Sequence, residues 1–408
     1  MDSTLAMILG CSMVIGFHLI DLVAHRFRIP SVLLLMGLGA LSGSLASRHF
    51  VSLRIPHEVI TGLGLLGLAL IVLEGAMGLK WRKGSEAWMF RAALAAVLGI
   101  VVFLVPTAAA FHFIWGSGWR MSLLNAMPLA VVSSAIAIPS ASRLPEKLRD
   151  FISVESSLSD IVGVLVFNAI AIPAALGFAT LFRMGWNAVL VAALSVGIVG
   201  ATLKIMRHSS QGVRFIPLLA SLILFFALGK ILHLPSLLLV FLFGIAVANL
   251  PKINLKPVKN WLMHDGFAQD AHLLETMVRE LAFLARTFFF FLFGFSMDWN
   301  TLSRPLPWAI GATLLCLIYV CRFAVLRLLV GPDIRKIVFI APRGLITILL
   351  FAMIPVSERI SEIASGTVLV VVLGTTIGQI LAGKDVSQAA GVPSIDEILP
   401  IGPQWLRK

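Results

Sequence analysis

The chain reads as an all-α polytopic membrane protein of about thirteen transmembrane helices, built as two inverted six-helix repeats with a broken crossing helix in each. Three observations predict this: the composition, the placement of basic residues in loops, and a pair of matched motifs half a chain apart. Of 408 residues, 59% are hydrophobic and 13% charged. With a mean hydropathy of +0.99, the chain carries more apolar run than a soluble core can use.

The candidate spans run over 4–24, 30–47, 57–79, 87–115, 121–142, 150–175, 186–206, 214–232, 233–250, 279–297, 305–330, 334–356 and 363–383. A helix needs about 20 residues to cross roughly 30 Å of hydrocarbon. Residues 1–20 have no basic n-region and lead directly into a second span, so they read as the first helix and not as a signal peptide. With the N-terminus outside, Arg26, Arg28, Lys80, Arg82, Lys83, Arg143, Lys147, Arg149, Lys204, Arg207, Lys252, Lys256, Lys259, Arg335 and Lys336 fall on one side. The opposite loops carry mostly single arginines. The positive-inside rule makes the basic side cytoplasmic and puts the C-terminus there too, which suits a plasma (inner) membrane protein. The net charge of +12 is then largely a topology signal, and its dispersal in short loops argues against a nucleic-acid surface. Cys11, Cys316 and Cys321 all fall inside spans and offer neither a disulfide framework nor zinc spacing.

The matched motifs set the architecture. Pro30-Ser31-Val32-Leu33-Leu34-Leu35, with Gly39 nine residues after the proline, corresponds to Pro235-Ser236-Leu237-Leu238-Leu239-Val240 with Gly244. The following spans end alike, Leu73-Glu74-Gly75-Ala76-Met77 against Leu292-Phe293-Gly294-Phe295-Ser296-Met297. The copies lie seven spans apart, an odd number, so they cross in opposite directions. This divides the chain into a first repeat (1–185), a linker helix (186–206), a second repeat (207–383) and a short cytoplasmic tail (384–408). Transporters built this way bind substrate near the midplane, where broken helices meet.

Span 5 holds Val132-Ser133-Ser134-Ala135-Ile136-Ala137-Ile138-Pro139-Ser140, and span 12 holds Ala341-Pro342-Arg343-Gly344-Leu345. Proline lacks a donor and hydroxyls compete for backbone bonds, so both segments are expected to unwind beside span 6. Span 6 carries Asp160 and, five residues earlier, Glu155, the two acids farthest from any span edge. A carboxylate at that depth costs about 2.5–3.5 kcal/mol on insertion scales.

The chemistry follows from Asp160. A desolvated carboxylate can hold a proton or a monovalent cation, but not both well. If the protein changes its facing side only when that charge is neutralised, the competition becomes obligatory exchange. Ser156 lies four residues before Asp160 and shares its helical face. Ser133 and Ser134 add hard oxygen donors, a set that suits Na+, K+ or Li+ and no soft metal. Glu155 sits about 140° around the helix from Asp160 and faces another neighbour.

Several motifs resemble the cation/proton antiporter superfamily, in its sodium/proton exchanger branch with some features of the potassium-efflux branch. Glu155-Ser156-Ser157-Leu158-Ser159-Asp160 resembles the sixth-helix motif, in which an Asn-Asp pair follows a Glu five residues before the Asp. Ser133-Ser134-Ala135-Ile136-Ala137 is similar to the fifth-helix stretch. Cys316-Leu317-Ile318 with Arg322, Arg343-Gly344, and Gly374-Thr375-Thr376-Ile377-Gly378-Gln379 resemble three later helices. The resemblance implies that Arg322 pairs with Glu155 as a structural ion pair, with Arg343 the alternative partner. Arg286 stands near the position of a tenth-helix lysine in electrogenic relatives, or else reaches the cytoplasmic edge near Glu280. It also implies a homodimer, with any regulatory subunit a separate chain. Two departures stand out: Ser159 replaces the usual Asn, and Ser134 replaces a fifth-helix acid.

The expectation is therefore an antiporter of Na+ or K+ against H+ at Asp160, with Ser133, Ser134, Ser156 and Ser159 around the cation. One titrating acid makes the exchange electroneutral. The ions are cargo, and no resident cofactor is expected. The rival reading is a sodium-coupled symporter of small organic anions. An enzyme is not expected, since the motifs of intramembrane proteases are absent. An amphipathic helix is expected around 258–267.

Overall fold

The computed structural model describes residues 3–27, 30–49, 57–79, 86–171, 236–250, 267–297, 299–331, 337–363 and 365–389, with a few single positions between 186 and 224. Among the described residues there are twelve α-helices and no strand. They are α1 (Ser3–Phe27), α2 (Ser31–His49), α3 (His57–Gly78), α4 (Glu86–Trp115), α5 (Trp119–Ala130), α6 (Ser134–Ser140) and α7 (Glu146–Ala171). After an interval come α8 (Ser236–Asn249), α9 (Phe267–Ser296), α10 (Pro305–Leu329), α11 (Leu345–Met353) and α12 (Ser365–Ala389). Spans 7 and 8, the linker between the repeats and the end of the tail lie outside the described residues.

Four helical stretches are long and apolar enough to cross a membrane: Ala87–Trp115, Trp119–Ser140, Glu146–Ala171 and Pro305–Leu329. Shorter apolar helices occupy Gly10–Ala24, Ser31–Leu45, Gly62–Gly78, Leu237–Asn249 and Gly366–Ile380. The second of the four stretches comprises α5 and α6 with the break between them.

α9 begins twelve residues before the predicted span. Ala271, Leu274, Val278, Ala282 and Ala285 recur at helical spacing, and Leu274 and Val278 are fully buried. On the polar side Arg279 bonds Glu275 at 3.2 Å. The first turns of α9 are amphipathic, while the helix expected around 258–267 lies, up to residue 266, outside the described residues.

Glycines set the closest helix crossing. Gly39 of α2 and Gly294 of α9 bring backbone onto backbone, and a Cβ at either would land on the other helix's main chain. α2 packs on α9 and α8 packs on α3, with α3 and α9 also in contact. Exchanging α2 with α8 and α3 with α9 maps the first crossing onto the second. At that second crossing Gly244 faces Leu73 and Ala76.

Both crossing helices are broken. α5 stops at Ala130, Val131 and Ser133 are extended, and α6 starts at Ser134. The expected cause, Pro139, is instead inside α6, while the break follows Pro128 in the last turn of α5. Pro139 acts differently: without an N–H it leaves the Ala135 carbonyl free, and Arg286 donates to that oxygen at 3.1 Å. In the second half, residues 340–344 are non-helical before α11. The two unwound segments meet where Ser133 N donates to Pro342 O at 2.9 Å. Gly344 permits the approach, since a Cβ there would stand 2.7 Å from Ile136 Cδ1 and 3.0 Å from Ser133 Oγ.

At the far end of α5, Arg120 donates to the carbonyls of Ile170 and Ala171, at 3.0 and 2.7 Å, capping α7. It also pairs with Glu358 at 2.8 Å. Asn125 reaches the same loop, donating to Glu358 O at 2.8 Å and accepting from Ile360 N at 3.1 Å. These bonds join the outer ends of α5 and α7 to the loop that leaves α11.

Candidate functional site: a buried carboxylate at the helix crossing

α7 runs past both breaks with a polar face at their level. Glu155, Ser156, Ser157, Ser159 and Asp160 are all at most 3% exposed. Two of its three hydroxyls bond within the helix or across to the breaks. Ser156 Oγ donates to Ile152 O at 2.7 Å, and Ser159 Oγ accepts from Val132 N at 3.0 Å.

Asp160 lies against the start of α6. Its Oδ2 accepts from the Ser134 backbone N–H at 3.2 Å and from the Ser134 hydroxyl. Its Oδ1 is buried and has no hydrogen-bond partner. A buried carboxylate oxygen left in this state is costly. Ser133 Oγ is likewise buried and unpartnered.

The residues singled out from sequence fall into two groups. Ser133, Ser134, Ser159 and Asp160 gather at the break between α5 and α6. Ser156 is buried in the same helix, with its hydroxyl proton committed to Ile152 O. Glu155 faces away and meets Arg322 of α10 through two bonds, 2.8 Å from Nη1 to Oε1 and 3.1 Å from Nη2 to Oε2. Arg322 also donates to Ile337 O from Nε and Nη2, at 3.4 and 3.3 Å. This anchors the segment leading into the second break.

Arg343 does not pair with Glu155. Its Nε donates to Leu129 O at 2.7 Å, its Nη1 to Ala341 O at 3.2 Å, and its guanidinium lies 5.8 Å from the centre of the Phe103 ring. Leu129 O is one of the last carbonyls of α5, which have no partner within the helix. Arg343 therefore ties one broken helix to the other. Arg286 turns inward to Ala135 O instead of reaching toward Glu280.

Two further buried hydroxyls without partners, Ser157 Oγ and Thr347 Oγ1, escaped the sequence reading. Ser157 stands three residues before Asp160, a spacing that also shares a face. Thr347 lies in the first turn of α11, just past Gly344. No group of three or more His, Cys, Asp or Glu residues placed to hold a metal ion occurs among the described residues.

Two broken helices crossing at the level of a buried aspartate are the arrangement of an inverted-repeat secondary transporter. Residues 12–383 match the family model described as "Sodium/hydrogen exchanger, transmembrane", and the chain belongs to that family. Its fold is similar to two structures of the sodium proton antiporter MjNhaP1 from Methanocaldococcus jannaschii. The structure at pH 8 aligns with a TM-score of 0.68 at 18% identity, over 94% of this chain and 96% of that one. The second, from an electron microscopy map, aligns with a TM-score of 0.68 at 18% identity over 96% and 98%. Among curated proteins no sequence matches this chain.

Proposed function

We propose that the protein exchanges Na+ for H+ across the plasma (inner) membrane, with Asp160 binding each in turn. The observation that carries this reading is the state of that carboxylate. One oxygen is fixed by Ser134 and the other is buried without a partner, at the meeting point of two unwound segments. Family membership supports sodium as the cation. Ser133, Ser134, Ser156 and Ser159 supply hard oxygens around Asp160, and Ser157 and Thr347 are added to that set.

A proton or a cation on Asp160 cancels its charge, and only the neutral site crosses between facings at an accessible cost. Glu155 is held by Arg322, which leaves Asp160 as the carboxylate that takes up and releases the exchanged proton. One cation then moves per proton and the exchange is electroneutral. The wider reading is a homodimer of two inverted repeats, with the N-terminus outside and the C-terminus cytoplasmic.

The test is proton flux in proteoliposomes offered Na+, K+ and Li+ in turn. The parent is expected to show Na+-driven flux, and Asp160→Asn is expected to fold and lose it. Exchange by Asp160→Asn at the parental rate would reject the assignment. A parent whose Na+ uptake needs a small organic anion and moves no protons would be a symporter.

A further inference from the structure

A cavity lies between α4, α7 and α10 and reaches the two chain breaks at Val132 and Arg343. Among its lining residues are Ala96, Glu155, Ser159, Cys321, Arg322 and Arg343. Its volume is about 20 Å3. One water needs roughly 10–15 Å3 on the same measure, so the cavity holds a water or a single small ion and excludes an organic ligand.

The charges lining it do not balance. Glu155 neutralises Arg322 through two bonds, and Arg343 has no carboxylate partner among the described residues. A guanidinium carries five N–H donors. Arg343 uses Nε on Leu129 O and one Nη1 proton on Ala341 O. The second Nη1 proton and both protons of Nη2 have no acceptor among the described residues, although the residue is 4% exposed. The Phe103 ring attracts the cation through its face but does not remove the net charge. A buried, uncompensated cation with free donors beside an ion-sized cavity is the setting in which an anion is held.

We propose that this cavity binds one monovalent halide, chloride in the cell, against the free N–H groups of Arg343. The halide is a resident counter-ion, separate from the transported cation. Room for about one or two waters suits a monatomic anion better than a phosphate. Because Ser159 lines the cavity and adjoins Asp160, the bound halide also cancels excess positive charge next to the cation site.

The test is thermal unfolding of the purified full chain at constant ionic strength, with gluconate replaced stepwise by chloride or bromide. The expected result is a saturable rise of the midpoint by about 2 °C or more, lost in Arg343→Gln. Asp160→Asn keeps the full rise, so the outcome is independent of whether Asp160 carries out exchange. If Arg343→Gln does not fold, Ala96→Leu serves in its place: it fills the cavity, leaves every charge, and is expected to lose the rise. The proposal is overturned by a parent with no saturable halide effect, which leaves only water in the cavity. It is equally overturned by a rise that persists in Arg343→Gln or, where that variant does not fold, in Ala96→Leu.

Discussion

Glu155 and Arg322 join α7 to α10 through two short bonds, about 140° around α7 from Asp160. The helix that presents Asp160, one oxygen of which has no partner, is thus braced on another face by a fully paired carboxylate. Both partners are buried, so neither can lose the other cheaply. Glu155→Gln and Arg322→Met, each alone, are expected to lower stability by about 3–5 kcal/mol. The pair of apolar replacements Glu155→Leu with Arg322→Met should recover much of that loss. Thermal unfolding of the two single variants and the double variant measures this. A Glu155→Gln protein with parental stability and no transport would make Glu155 a cation ligand.

Ser134 supplies both donors to Oδ2 of Asp160, and only the hydroxyl can be removed by substitution. Hydrogen bonds to a charged group contribute about 1.5–3 kcal/mol. Ser134→Ala is therefore expected to weaken apparent Na+ affinity by about tenfold or more, with the backbone bond keeping the fold. Na+ titration of proton flux in Ser134→Ala and Ser134→Thr separates loss of the hydroxyl from loss of packing. Threonine should stay near the parent.

Exchange of one cation per proton moves no net charge. Clamping the membrane potential in proteoliposomes is expected to leave the rate unchanged. A several-fold change at about 100 mV, which acts with roughly 2.3 kcal/mol per charge, would show that a second group titrates.

Gly344 fits because it has no side chain at the crossing, where a Cβ would meet Ile136 and Ser133. Gly344→Val is expected to cost about 1–3 kcal/mol through overpacking. It should also slow exchange more than it weakens Na+ binding. Comparing the maximal rate with the half-saturating Na+ concentration checks this.

Much of the site could be read from the chain because deep charges in apolar runs are conspicuous. Asp160 and Glu155 stand out for that reason, Arg343 stands between Pro342 and Gly344, Arg322 is reached through the family resemblance, and proline, glycine and serine at matching positions signal the breaks. Directions were harder to read. Pro139 looked like the breaker, yet the chain opens after Pro128, and Pro139 instead frees a carbonyl for Arg286. Arg343 has no carboxylate because α5 presents carbonyls at its end, a partner no spacing rule reveals. Thr347 and Ser157 are ordinary residues until the fold buries their hydroxyls without bonds. The start of α9 was missed because its first turns are amphipathic, and a search for continuous apolar run passes over them.

The bond between Glu155 and Arg322 also has a place in time. The two residues are 167 positions apart, and ribosomes add roughly 5–20 residues per second, so Glu155 is made about 8–33 s before its partner. During that interval α7 enters the membrane with its acid unanswered, and several later helices must be inserted before α10 arrives. Glu155 therefore gives nothing to the early stability of the first half, and the brace closes only when the second half has been laid down. A ribosome that stalls before Arg322 leaves behind a chain that contains Asp160 but lacks the partner for Glu155.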